Sequence, residues 1–150
     1  MHRVTPAAQS RGIQLETQFA PHLPSCETDS SRVEQILTNL LGNAIHHSPE
    51  RGRVRLRVDA QEPVVVYTVE DEGSGIEESE VERVFDIYVT KDGGDNRGAG
   101  LGLPLSRRLA RLLGGELRAV ARPNRGGCFI LELPASRQHE ETFTPASAAS

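Results

Sequence analysis

The sequence predicts an α/β two-layer sandwich, a mixed sheet packed on helices, and three features point to it. Residues 33–45 carry one apolar stripe at helical spacing. Residues 53–59 and 64–69 read as a strand pair. A second helical stretch is followed by two more strands joined by a Gly-rich turn. The order is strands, helix, strand pair, loop, helix, strand pair, and such an order segregates helices to one side of a sheet.

Taken along the chain, residues 1–10 hold Pro6 and little apolar periodicity, and read as a frayed leader or the end of a connecting element. The globular domain is expected over residues 11–134. Ile13, Leu15 and Thr17 alternate with polar neighbours and suggest a first strand. Pro21 and Pro24 bound a short connection. Asp29 is then a candidate helix N-cap, and Ser31 with Glu34 has capping-box spacing. Val33, Ile36, Leu37, Leu40, Leu41, Ala44 and Ile45 recur every three or four residues, until Ser48-Pro49 ends the helix. Val54, Leu56 and Val58 point inward from the next strand, and Arg53, Arg55 and Arg57 to water. A more deeply buried strand covers residues 64–69, and a short helix is expected over 77–84. Residues 86–100 read as a loop, and a loop of about 15 residues in a compact domain is more often functional than neutral. The last helix should start with Pro104 in its first turn, bury Leu105, Leu109 and Leu112, and close at Gly114-Gly115. Strands over 116–121 and 128–133 flank a hairpin turn. From residue 135 Ser, Ala, Glu and Pro dominate, the composition of a disordered tail or linker.

Composition narrows the function. The 150 residues suffice for one domain, and with 4% aromatics and no Trp its core must be Leu, Ile, Val and Ala. A net charge of −4 gives no general attraction to nucleic acid or to an anionic membrane. Cys26 and Cys128 belong to no CxxC or Cys/His cluster and read as free thiols in a reducing compartment. With no apolar run of about 18 residues, the expectation is a cytoplasmic piece without direct membrane contact, compatible with a membrane receptor as parent.

Four groups can carry chemistry. Asn39 and Asn43 share one helix face beside the apolar stripe, where amide oxygens can meet a hard cation; two such asparagines also occur as plain boundary residues. Asp71-Glu72-Gly73-Ser74-Gly75-Ile76 follows a buried strand, so a carboxylate stands at a strand end with glycines that admit a flat ring; an Asp-Gly turn is the ordinary alternative. Gly98-Ala99-Gly100-Leu101-Gly102-Leu103 offers free N–H groups ahead of a helix, a seat for phosphate or simply a flexible loop. Phe85-Asp86-Ile87-Tyr88-Val89-Thr90-Lys91 places an aromatic pair and a lysine before the long loop, as a lid anchor or a surface cluster.

In this order and spacing the four groups resemble the boxes of the histidine-kinase branch of the superfamily that also holds type II topoisomerases, mismatch-repair ATPases and the large heat-shock chaperones. The resemblance runs over residues 13–134. Asn39 to Ala44 looks like the N box, Asp71 to Ile76 the G1 box, Phe85 to Lys91 the F box and Gly98 to Leu103 the G2 box. It implies the Bergerat ATP-binding fold, with ATP and Mg²⁺ as cofactors. It implies that Asp71 bonds the adenine amine, with Gly73, Gly75 and Ile76 beside the base. Asn43 would ligate Mg²⁺, with Asn39 near phosphates and metal and a second possible ligand. Residues 86–100 would be the ATP lid, Tyr88 and Lys91 would reach the nucleotide, and Gly98, Gly100, Leu101, Gly102 and Leu103 would lie near the phosphates. Asn39, Asn43 and Lys91 are then the catalytic candidates.

Some positions depart from the pattern. His46-His47 stands where Lys-Tyr is common, Ile87 where proline is frequent, and Cys128 where a Ser or Thr often supports the adenine-binding aspartate. A neutral imidazole and a thiol are weaker partners than the residues they replace. The implied activity is transfer of the ATP γ-phosphate to a histidine on a separate helical dimerisation domain, and then a response-regulator receiver domain as partner. The piece alone would be monomeric. A chaperone- or topoisomerase-type ATPase needs a glutamate where Asn39 stands, and an amide cannot be that base. A non-enzymatic nucleotide-sensing or docking module and an anti-sigma-factor serine kinase are the other readings of the same fold.

Overall fold

A computed structural model describes residues 5–21, 30–86, 97–122 and 125–135. Helix α1 (Thr5–Arg11) leads into strand β1 (Gln14–Phe19), and the long helix α2 (Ser30–His47) follows. Strands β2 (Arg53–Gln61) and β3 (Val64–Glu70) form a hairpin. Helix α3 (Arg97–Leu112) precedes β4 (Glu116–Ala119) and β5 (Cys128–Pro134). The sheet has five strands in the order β1-β2-β3-β5-β4. Only the β1–β2 pairing is parallel, so the sheet is mixed, as the sequence predicts.

One face of the sheet carries Val54, Leu56, Val58, Val65, Val69, Leu117, Phe129, Leu131 and Leu133 into a single core. The apolar stripe of α2 lies against it, with Ile36 and Leu40 fully buried. Strict alternation in β2 and β5 and helical periodicity in α2 are therefore satisfied by the same interface. The other face is polar. Arg53 and Arg55 pair with Glu16 at 3.1 and 3.3 Å, Arg122 with Glu70 at 2.7 Å, and Arg57 with Asp59 at 3.9 Å. The strand arginines are thus a solvated, paired face. Arg51, at φ 65°, belongs to the turn ahead of it.

The structure corrects several expectations. Of the two readings of residues 1–10, residues 5–11 are helical and so not a frayed leader, and Ala8 is buried in the core. β1 forms as expected but is an edge strand whose residues are mostly exposed, with Phe19 61% exposed. The short helix expected over 77–84 is a pair of 3₁₀ turns, Glu78–Glu80 and Arg83–Phe85. Helix α3 begins at Arg97, so Gly98 to Leu103 form its opening turns and Pro104 lies inside it. Its buried face is Leu103, Ser106 and Ala110; of the three leucines expected inside, Leu109 is half-buried against the core, whereas Leu105 and Leu112 are 43% and 67% exposed. Small residues are what a close approach to α2 permits. The Asp29 cap, Cys26, the turn residues 123–124 and residues 136–150 lie outside the described residues.

Arg107 of α3 ties the second 3₁₀ turn to the domain. Its guanidinium lies 4.1 Å from the Phe85 ring centroid, and it donates to both Glu82 oxygens at 2.9 and 3.2 Å. Phe85 in turn meets Phe129 edge to face at 6.2 Å. The Arg107 hydrogen bond, then its charge, holds the Glu82 carboxyl below its ordinary value. That link is present at neutral pH and is lost as pH falls through the lowered value. Because the Arg107 side chain is only 14% exposed, its stacking should matter more than the exposed ion pair. Arg107→Ala should lower the melting temperature by a few degrees, as expected for a cation–π contact of about 0.5–2 kcal/mol. Glu82→Gln should lower it less, and thermal melts at pH 7 check both. Equal losses in the two variants would assign the effect to the ion pair.

Candidate nucleotide site

The Asp71 carboxyl sits where β3 ends, 6% exposed. Its Oδ1 accepts the backbone N–H of Gly73 at 2.7 Å and of Gly127 at 2.9 Å. Among the described residues Oδ2 accepts no hydrogen bond. Local sequence explains half of this: an Asp followed two residues later by Gly makes an Asx-type turn. The other half comes from across the sheet. Asp71 N–H donates to the Gly127 carbonyl at 3.0 Å, continuing the ladder that pairs Glu70 with Cys128. A Cβ on Gly127 would lie 2.6 Å from Oδ2, so the glycine keeps that oxygen clear.

Gly73 packs on the end of α2, where a Cβ would lie 2.5 Å from the His47 carbonyl oxygen. The loop after Asp71 therefore rests on the helix that carries Asn39 and Asn43. Gly75 takes φ 87°, and Ile76 turns back into the core, where its carbonyl accepts the Arg122 N–H at 3.1 Å. Both asparagines are half-buried, on the edge of the apolar stripe. Asn39 donates from Nδ2 to Ser106 Oγ at 3.0 Å, and Gly102 packs beside it, with 3.7 Å from a Cβ there to Asn39 Cγ. Leu103 is buried one residue on.

His46 and His47 occupy the last turn of α2, exposed, with their rings edge to face at 5.1 Å. Gly98, Gly100 and Leu101 belong to the first turns of α3, where the helix leaves its leading N–H groups without intrahelical acceptors. Tyr88 and Lys91 lie outside the described residues. Cys128 is not beside Asp71. It projects from the polar face of β5, away from the core cluster, and meets the charges of Arg122 and Glu70. Burial pushes its thiol above the ordinary value. The partner of the aspartate is instead the Gly127 amide, which the sequence shows only as part of a turn. Ser106 had no signal at all beyond a serine in a helix.

The site thus joins a buried carboxylate with one free oxygen, a glycine floor and paired amides on a helix, on the core side of the sheet. Residues 28–137 match the family model for the histidine kinase-, DNA gyrase B-, and HSP90-like ATPase. The chain belongs to this family. It is 41% identical, over 92% of its length, to the sensor histidine kinase MtrB of Mycobacterium leprae, and covers 25% of that protein. It is 35% identical over 88% of its length to the alginate biosynthesis sensor protein KinB of Pseudomonas aeruginosa, covering 22% of it. Among solved structures, full-length ShkA in complex with AMPPNP superposes with a TM-score of 0.80 at 32% identity, over 90% of this chain and 28% of that one. The nucleotide-free catalytic domain of the histidine kinase ThkA does so with 0.76 at 26%, over 89% and 87%. The chain therefore has the fold of a histidine-kinase catalytic domain and spans about a quarter of the curated relatives it matches.

The residues suit the nucleotide and cation the family implies. Asp71 Oδ2 is a carboxylate acceptor with no hydrogen bond among the described residues, the kind of group an exocyclic amine takes, and Gly127 leaves room beside it. The amides of Asn39 and Asn43 supply neutral oxygen donors of the kind Mg²⁺ takes alongside phosphate. No helix among the described residues is long and apolar enough to cross a membrane.

Proposed function

We propose that this domain binds ATP with Mg²⁺ and presents the γ-phosphate to a histidine on a separate dimerisation domain. The observation that carries the reading is Asp71: one oxygen is fixed by two backbone amides and the other is left for the adenine amine. Gly73, Gly75 and Ile76 would form the wall against the base. Asn43 would hold the cation, with Asn39 beside it. His46, His47, Tyr88, Lys91 and the opening turns of α3 (Gly98, Gly100, Leu101, Gly102, Leu103) would border the ribose and phosphates. Bound Mg²⁺ supplies charge neutralisation on the phosphate oxygens. The protein's own share is position: the Asp71 end fixes the base, and α2 fixes where the phosphates meet the amides. In the transfer, the bond from the γ-phosphorus to its bridging oxygen breaks, a bond to an imidazole nitrogen forms, and ADP leaves. A receiver domain of a response regulator would then take the phosphoryl group.

The nucleophile lies outside the described residues of this chain. His46 and His47 sit at the C-terminal end of α2, with Ser48 and no acidic residue directly after them and no long helix beginning there. The isolated chain should be monomeric and should bind ATP without labelling itself. Incubation with γ-labelled ATP should leave it unlabelled, and adding the parent kinase's dimerisation domain should give acid-labile label on that domain. Acid-labile label on the chain alone would overturn the assignment of the nucleophile.

A further inference from the structure

We propose that Ser106 is a positioning residue for Asn39, holding its side-chain amide in one fixed orientation with the oxygen toward the cation; this rests on the nucleotide reading above. Ser106 is completely buried in α3, among Leu103 and Ala110, on the face that meets α2. A hydroxyl in such a place is destabilising unless it is hydrogen-bonded. Its Oγ accepts the Asn39 Nδ2 at 3.0 Å across 67 residues of sequence. A carboxamide is planar, with its two arms on opposite sides. Tying the nitrogen arm to Ser106 turns Oδ1 away from α3.

Gly102, one turn earlier, lies beside the same side chain, where a Cβ would stand 3.7 Å from Asn39 Cγ, in ordinary van der Waals contact. Without the Ser106 hydroxyl, the hydrogen bond that ties the Asn39 amide to α3 is gone and its plane is free to turn. A share of molecules would then present the NH₂ group, a donor, where a cation needs an acceptor. The result is a smaller competent population and weaker apparent affinity for the metal-bound nucleotide. Metal-free ATP makes no such demand on Asn39.

The experiment is calorimetry of ATP titrated into the full chain, with and without Mg²⁺, for wild type, Ser106→Ala, Asn39→Ala and the double variant. Ser106→Ala should weaken binding of Mg²⁺-ATP about three- to tenfold and change metal-free ATP by less than about twofold. In the Asn39→Ala background it should add nothing. Ser106→Cys keeps the volume with a weaker acceptor, should fall between, and gives the same test if the alanine variant does not fold. An unchanged Mg²⁺ dependence in Ser106→Ala, or a loss that persists undiminished beside Asn39→Ala, overturns the proposal. A wild-type chain that binds ATP equally well without Mg²⁺ would overturn the assignment of the cation to α2, and the role of Ser106 with it. A wild-type chain that does not bind ATP would remove the nucleotide reading altogether.

Discussion

Asp71→Asn should reduce ATP affinity roughly tenfold to a hundredfold while leaving the domain folded. Oδ1 already accepts two backbone amides, and those donors dictate how an asparagine must sit. Its carbonyl oxygen will take the Oδ1 place, so its NH₂ will take the Oδ2 place. The adenine amine then meets a donor where the wild type offers a charged acceptor. Loss of a hydrogen bond to a charged group costs about 1.5–3 kcal/mol, which sets the size of the effect. Both amide contacts of Gly73 and Gly127 survive, so the melting temperature should move little. GTP gives an internal control, because its base carries a carbonyl oxygen where adenine carries the amine. Wild type should bind GTP poorly against the carboxylate, and Asp71→Asn should narrow the gap between the two nucleotides. Calorimetry with ATP and GTP on both proteins decides it. Unchanged ATP affinity in the variant would remove Asp71 from the base site.

That carboxylate was legible in the sequence because its setting is local: a β-rich run that stops at an acid followed by glycines. The α2 stripe was legible for the same reason, since spacing of three and four residues states its own face. α3 was not. Gly98, Gly100, Gly102 and Pro104 have the propensities of a loop, yet the chain is helical from Arg97. Packing overrides propensity there, as Gly102 lies on Asn39 and Leu103 enters the core. The leucines of α3 suggested a face that is offset from the buried one: Leu109 packs against the core, but Leu105 and Leu112 do not. The face that meets α2 needs Ser106 and Ala110, both completely buried, because larger side chains would hold the helices apart. Gly127 and Ser106 were illegible because each acts on a residue distant in sequence, 56 and 67 positions away. A hairpin glycine and a helical serine look the same whether or not such a partner exists.

The second large effect concerns the scaffold that holds the paired amides. Leu40 lies in α2 between Asn39 and Asn43 and is completely buried against the sheet. Leu40→Ala should cost about 2–5 kcal/mol, for lost apolar burial plus the cavity left behind. Against a total of about 5–15 kcal/mol, that is a sizeable share of the stability. Urea titration should show the midpoint falling with the slope unchanged. Leu112→Ala is the comparison on the exposed side of α3, where a change of about 0.5 kcal/mol or less is expected. Equal losses at the two positions would mean that the α3 face has been assigned in the wrong phase. The destabilised Leu40→Ala protein also links stability to the site. A ligand at a hundred times its dissociation constant adds about 2.7 kcal/mol to the folded state, enough to restore a large part of the loss. Mg²⁺-ATP should therefore raise the midpoint of Leu40→Ala clearly, and at the same nucleotide concentration should raise that of Leu40→Ala with Asp71→Asn much less. Equal rescue of both would place the nucleotide somewhere other than the Asp71 end of α2, even if the domain binds ATP.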